Sequence, residues 1–257
     1  MIDSLVQGFM IENPNAKVTV KYTSAAEAVR ELMNHDARAI IIDRNLTPTE
    51  RGLLQKDSVT LPEFQLARDG IGVMVPVTDI DNGDNVRLSY LRALFGNPKT
   101  LMTHAQQKIF TAYPSSIEYV MDSIMGVTET GGITQRYQTT DSIIQRMAKD
   151  RNVIAFVSSA WKHRIEDDNH DTRVKFLPVI PHDLSSQGVS EPVLLHIAYI
   201  AEGVYPLITR VNGYSFEVPN TIPRGFLAYA ATAHGQTVFK NFGMLPLTQP
   251  IRLVPSK

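Results

Sequence analysis

Three short stretches place a hydroxyl three residues ahead of a carboxylate: Ser24/Glu27, Thr47/Glu50 and Ser115/Glu118. The pattern opens helices, because hydroxyl and carboxylate each satisfy a backbone N–H that the first turn leaves over. Taken alone it marks helix starts and nothing more. Two of the three carry a further implication. Ser24 follows the β-like run Lys17–Thr23, and Ser115 follows the run Lys108–Tyr113. A strand-to-helix turn lies at the carboxyl edge of a sheet, where open α/β sheets bind ligands. A helix N-terminus at that edge attracts anions through its free N–H groups and dipole. Asp43 and Arg44 sit just past the apolar run Ala39–Ile42, at the same kind of edge. Asp43 could accept a proton from a ligand hydroxyl, and Arg44 could pair with an anion. Alternatively, the two pair with each other or face solvent, as surface charges commonly do.

Other chemistries are poorly represented. The chain has no cysteine, so disulfides, thiolate metal sites and cysteine nucleophiles are excluded. The stretch 163–170 collects histidine and carboxylates but lacks the spacing that puts two imidazoles on one helical face, and it reads as a solvated charged loop. The glycine-rich nucleotide loops and the Gly-x-Ser-x-Gly nucleophile elbow are absent. No base poised beside a nucleophile or a cofactor lysine is evident, so neither an enzyme nor a cofactor nor a metal is expected. Trp161 and the tyrosines have no stripe-like spacing, and packing is their default role.

The elements that position these residues follow from periodicity. Ile2, Leu5, Val6, Phe9 and Met10 form one helical stripe, stopped at Asn13-Pro14-Asn15. Lys17–Thr23 alternates and is β-branched, which predicts a strand. Helices are predicted to open at Ser24 and Thr47, with Pro48 in the first turn of the second. Ala39–Ile42 reads as a buried parallel strand. This helix–strand alternation argues for an α/β layered domain with a parallel sheet. Further strands are expected at 70–75, 108–113, 153–157 and 174–179, and helices at 88–95, 115–125 and 141–149. Polar or turn segments are expected at 79–85, 128–132 and 163–172. Residues 204–216 read as extended, with a turn at Asn212-Gly213, and two helices, 224–232 and 235–242, close the chain.

Composition bounds the partners. The chain has 257 residues, 43% apolar and 20% charged, with 25 Lys+Arg against 26 Asp+Glu. This is ordinary globular usage for one or two domains. A net charge of -1 supplies no overall basic field for nucleic acid or an anionic membrane. The longest nearly apolar run, 193–204, contains His196 and Glu202 and is too short to span a bilayer. Residues 1–6 show no basic region of a signal peptide.

The order of these features resembles the phosphate-binding proteins of ABC transporters, within the type II periplasmic-binding superfamily. The resemblance rests on Thr23-Ser24-Ala25 with the helix that follows, Ala39–Ile42 with Asp43-Arg44, and Gly70–Val75. It continues through Val153–Val157, Gly203-Val-Tyr205-Pro206, and the ending Gly235-Gln236 followed by Gly243-Met-Leu-Pro246-Leu. It implies an α/β, two-lobed type II periplasmic-binding-protein-like fold, each lobe a mixed sheet flanked by helices. The lobes would be 1–70 plus 210–257, and 71–209. It implies capture of phosphate or another small oxyanion in an interlobe cleft for ABC-type uptake, with a transporter permease as partner. The location would be periplasmic or extracytoplasmic, with any lipid anchor carried by residues absent from this chain. Ser24, Ala25, Asp43, Arg44, Ser115 and Ser116 become the candidate ligand-binding residues, with the serines donating and Asp43 accepting from a protonated ligand. Two departures accompany the resemblance. The first strand of the family and its ligand loop are missing, which leaves a gap beside Val18–Tyr22 and Ala39–Ile42. Thr111 stands where the family carries an arginine, and Ile117 where it carries a threonine. The loss of that arginine predicts weak phosphate binding, and the alternative is a divergent binding, sensor or adaptor protein that no longer binds phosphate.

Overall fold

The computed structural model describes residues 1–55, 61–77, 85–96, 110–114, 117, 121, 125–126, 134–137, 139–162, 173–181 and 191–248. The chain divides into two compact units, Met1–Asp69 with Thr209–Lys257, and Gly70–Ile208. The predicted helix over 115–125 and the loops at 79–85, 128–132 and 163–172 fall wholly or mostly outside the described residues.

The first unit begins with α1 (Ile2–Glu12), whose stripe buries Leu5, Val6 and Phe9. Phe9 meets Phe226 edge-on at 5.6 Å and Tyr229 at 5.7 Å, which fixes α1 against α7 (Ile222–Ala230). Each of these apolar side chains contributes about 1.5–3 kcal/mol on burial. The last helix, α8 (Ala233–Asn241), starts at Thr232, whose hydroxyl accepts from the Gly235 N–H. Its Gln236 is fully buried and fully used: Nε2 donates to Leu66 O and Ala230 O, and Oε1 accepts from Thr248 N. Buried amides are retained where every polar atom has such a partner.

The sheet of this unit contains β1 (Ile40–Ile42), β9 (Ile208–Tyr214), the first half of β2 (Glu63–Pro76) and β10 (Leu245–Pro246). β1 pairs antiparallel with β9, Ile41 opposite Gly213, and β10 pairs antiparallel with β2, Leu245 opposite Arg68. The expectation of a parallel β1 is therefore corrected: its described partner is the returning strand, which runs the other way. The expected turn at Asn212-Gly213 is also corrected, because both residues lie inside β9. Gly213 is needed there for clearance: a Cβ would come within 2.6 Å of Leu227 Cδ2, so glycine lets α7 close on the strand.

Lys17–Thr23 is the third correction. Among the described residues it joins no ladder and makes no backbone hydrogen bond. Its exposure nonetheless alternates as predicted, with Ala16, Val18 and Val20 turned inward and Lys17, Thr19 and Lys21 outward. The side-chain period is that of a strand, but a ladder also needs a neighbour with unpaired N–H and C=O groups. Side-chain bonds tether the segment instead, Lys21 to Glu31 of α2 (Ala25–Met33) and Tyr22 to Asp3 of α1.

The second unit has a mixed sheet. β4 (Phe110–Pro114) is flanked in parallel by β5 (Thr134–Tyr137) and β6 (Val153–Ser158). The second half of β2 pairs antiparallel with β6 and with β7 (Val174–Leu177). A small parallel pair, β3 (Val86–Arg87) with β8 (Val179–Ile180), stands apart. α5 (Thr140–Met147) packs Ile143, Ile144 and Met147 against Val153, Ala155 and Val157. Phe95 of α4 (Leu88–Gly96) lies between Tyr113 at 6.2 Å and Phe156 at 5.4 Å. Trp161 packs at the rim of the α5 core.

Three elements of this unit were not foreseen, β3, β5 and α6 (Ile197–Ala201). The side chains of β5 are polar and only half-buried or exposed, so hydropathy gave no signal. α6 is a single short turn capped by His196 Nδ1, which accepts from Ala198 N. It lies against β2 at Gly70, where a Cβ would meet Leu195 at 2.3 Å and Ile200 at 2.9 Å. Tyr205 donates its hydroxyl to Ile71 O at 2.7 Å, tying the following loop to the same strand.

Candidate functional site

The candidate residues of the first unit gather at one end of its sheet. α2 packs on β1 through Val29 and Leu32 against Ile40 and Ile42. The chain runs along α2 away from Ser24 and returns along β1 to Asp43, so the start of α2 and the end of β1 lie at the same edge. Ser24 is the N-cap of α2 and accepts from the Glu27 N–H at 3.2 Å. The reciprocal half of the box is not made, because the Glu27 carboxylate bonds Arg30. Among the described residues the N–H groups of Ala25 and Ala26 meet no acceptor. A first turn in this state presents two donors and the positive end of the helix dipole.

Asp43 is held by its backbone. Thr209 on β9 donates its hydroxyl to the Asp43 carbonyl. Burial is the largest influence on the Asp43 carboxyl and raises it; its own backbone N–H opposes this, the charge of Asp69 adds to it, and Arg44 opposes weakly. The net effect pushes the Asp43 pKa up to about 7. The group therefore stands near the midpoint of its titration at neutral pH, able either to donate or to accept.

Arg44 turns to Glu50. Its guanidinium is 5% exposed and grips Glu50 with two bonds of 2.7 Å, while Nη1 also donates to Asn45 O. Glu50 belongs to α3 (Pro48–Leu54), where it completes the box with Thr47: Thr47 N donates to Glu50, and Glu50 N donates to Thr47 Oγ1. Burial raises the Glu50 carboxyl, but the bonds from Arg44 and Thr47 outweigh it and leave its pKa lowered. Asn212 on β9 donates to Arg44 O and to Asn45 Oδ1 and so fixes the loop after β1.

Two residues of this edge escaped the sequence reading. Thr209 gave no signal, since threonine is ordinary in strands. Asp69 lies on β2 only 3% exposed, between Ala67 and Ile71, which are fully buried. A carboxylate inside an apolar strand is costly and calls for a reason. The apolar pattern begins only at Gly70, one residue after it.

In the second unit, Ser115 and Ser116 lie outside the described residues. Thr111 on β4 is 1% exposed, and its hydroxyl bonds that of Thr134 across the ladder at 2.8 Å. It is a sheet-core residue, so an arginine placed at 111 would enter the packed sheet. Among the described residues no group of histidines and carboxylates could hold a metal ion, and no helix is long and apolar enough to cross a membrane.

These units, linked by two chain crossings and each built from a sheet with flanking helices, define a two-lobed protein of the type II periplasmic-binding class. The chain belongs to the PBP superfamily, whose domain matches residues 1–234. Solved structures share the fold at low identity. A Clostridium perfringens protein, assigned as a phosphate ABC transporter substrate-binding protein and determined with bound phosphate, is 13% identical with a TM-score of 0.74, over 95% of this chain and 93% of that one. An ABC-type phosphate transport receptor from Vibrio cholerae is 17% identical with a TM-score of 0.69, over 95% and 94%. The regulatory domain of MetR, a LysR family regulator from Neisseria meningitidis, is 12% identical with a TM-score of 0.55, over 95% and 92%. No curated protein matches the chain in sequence.

Proposed function

We propose that this chain is a solute-binding protein that captures a small oxyanion of the phosphate type for ABC-type uptake outside the cytoplasm. The observation that carries the reading is the edge shared by the open first turn of α2 and the Asp43 carboxyl. N–H donors and a helix dipole suit the anionic oxygens of such a ligand, and a carboxyl poised near neutrality suits its acidic hydroxyl. Ser24 and the Ala25 N–H donate, and Asp43 exchanges hydrogen bonds with the ligand's hydroxyl. Arg44 acts by holding the loop through Glu50. Both substrate-binding relatives are phosphate transport proteins by description, which supports the ligand class and a permease partner. Capture needs no covalent step, so the function is binding rather than catalysis.

Calorimetric titration of the whole chain with inorganic phosphate tests this. Weak binding that Ser24→Ala and Asp43→Ala each reduce at least tenfold supports it. A folded chain that takes up neither phosphate nor arsenate overturns it. That result would favour the second reading, a sensor of another ligand, which the likeness to a regulatory domain supports.

A further inference from the structure

The ladder between β1 and β9 ends with Ile42 opposite Asn212. Beyond it the chain leaves the strand, and the carbonyls of the loop 43–45 are taken by side chains. Thr209 donates to Asp43 O, Asn212 Nδ2 donates to Arg44 O at 3.3 Å, and Arg44 Nη1 donates to Asn45 O at 2.9 Å. Asn212 Nδ2 makes a second bond, of 2.9 Å, to Asn45 Oδ1. Arg44 O can only accept, so the buried Asn212 amide must turn its nitrogen to that side, and Asn45 must meet it with oxygen. Both oxygens of Asn45 are thus engaged from within the fold. Its donors are not: Asn45 is exposed, and among the described residues neither its backbone N–H nor its Nδ2 meets an acceptor.

We propose that Asn45 is a further contact residue of the oxyanion site, and that it gives the ligand its side-chain amide and its backbone N–H. This rests on reading the Ser24–Asp43 edge as the oxyanion site.

The loop is sorted by polarity in the way an anion requires. A bound oxyanion offers acceptors, so a carbonyl facing it repels, whereas N–H groups gathered in a loop attract it. Every backbone carbonyl from Asp43 to Asn45 is tied back by Thr209, Asn212 or Arg44. What the loop leaves over is donors, on the residue two positions beyond Asp43. The side-chain donor is also pre-organised. The amide is planar, so holding Oδ1 against Asn212 fixes where Nδ2 lies, and little ordering is left for the ligand to impose. Because Arg44 is committed to Glu50, this loop meets the ligand through amide dipoles. The class of ligand that fits is a small tetrahedral oxyanion with more acceptors than donors, such as phosphate or arsenate.

Asn45→Asp isolates the donor. Aspartate has the same shape and keeps an oxygen for Asn212 Nδ2, so the loop stays anchored and only the outward NH2 becomes an oxygen. If Asn45 serves the fold alone, phosphate binding is unchanged. If it touches the ligand, an acceptor now opposes an anion, and affinity for inorganic phosphate should fall roughly thirtyfold or more, with Asn45→Ala losing about tenfold. Calorimetry on the full chain reads both. Proton–nitrogen NMR of the wild type adds a readout that a structural role would not move. The Asn45 side-chain amide pair, identified by its absence in Asn45→Asp, should shift and exchange more slowly with water as phosphate is added. A pair that stays in place at saturating phosphate overturns the proposal and leaves the Ser24–Asp43 reading standing. So does an Asn45→Asp chain that binds phosphate as the wild type does. A wild type that gives neither heat nor any amide shift with phosphate overturns the oxyanion reading, and the proposal with it.

Discussion

At the start of α3, Thr47 and Glu50 bond each other's backbone N–H groups, and Glu50 also grips Arg44. At the start of α2, Ser24 caps Glu27, but Glu27 turns to Arg30 instead of accepting from the Ser24 N–H, and among the described residues the Ala25 and Ala26 N–H groups meet no acceptor. One four-residue pattern has produced a closed joint and an open edge. The difference lies in the third partner. A guanidinium beside α3 pulls the glutamate inward, whereas the basic residue near Glu27 is on the solvent face of its own helix. The pattern announces a helix start in both places; the neighbouring charge decides whether the box closes on the N-cap N–H, and Pro48 removes a first-turn donor that α2 keeps at Ala25.

The comparison is broken most forcefully at Glu50. Glu50→Ala should destabilise the first unit by about 3 kcal/mol, the lower end expected for opening a buried ion pair, because Glu50 keeps 18% exposure. Urea unfolding reads it, and an unchanged midpoint would show that the joint is ornamental. pH offers a second view of the same joint. The folded-state pKa of Glu50 is depressed below its ordinary value of 4.5. Its contribution is therefore present above that value and lost as pH falls through the folded pKa, so Glu50→Gln should flatten acid unfolding below about pH 4.5.

Asp43 should behave with the opposite sign. Its folded pKa lies above its ordinary value of 3.8, so stability falls as pH rises from 3.8 toward about 7 and stays reduced above it. Asp43→Asn should then stabilise the chain at pH 8 by about 2 kcal/mol, half of what a fully realised shift of that size would give. The same variant should change little at pH 4. Thermal melts at the two pH values compare them, and a loss of stability at pH 8 would contradict burial as the cause.

The two caps should differ in kind more than in size. Thr47→Ala and Ser24→Ala should each cost about 1 kcal/mol of stability, but only Ser24→Ala should weaken phosphate binding. Equal binding losses in both would mean that the open first turn is not special. Smallest of all, Glu27→Gln removes an exposed pair and should shift stability by less than about 0.5 kcal/mol. A large effect there would erase the distinction between the two helix starts.

Much of the fold was legible because side-chain periodicity survives into the structure. The α1 stripe, the helix starts at Ser24 and Thr47, and β6 follow directly from residue pattern. What was not legible depends on partners distant in sequence. Lys17–Thr23 has strand periodicity without a strand neighbour. Asn212-Gly213 has turn chemistry, yet its glycine gives clearance to Leu227 and its asparagine serves the loop after β1. At the site, Ser24 and Asp43 were visible from their place after predicted strands. The fate of Arg44 turned on Glu50, six residues on, and the burial of Asp69 on a strand 26 positions after Asp43.

The bare backbone of Lys17–Thr23 has a consequence for colloidal behaviour. A row of open N–H and C=O groups with alternating side chains is a template onto which another chain can lay a strand, the usual route to ordered self-association. The outward positions of this segment hold Lys17 and Lys21, and like charges brought into register along a growing stack repel. Lys21 is held by Glu31, so Lys17 is the gatekeeper of an edge that the ladder of this lobe does not cover, and removing its charge should raise self-association at high protein concentration.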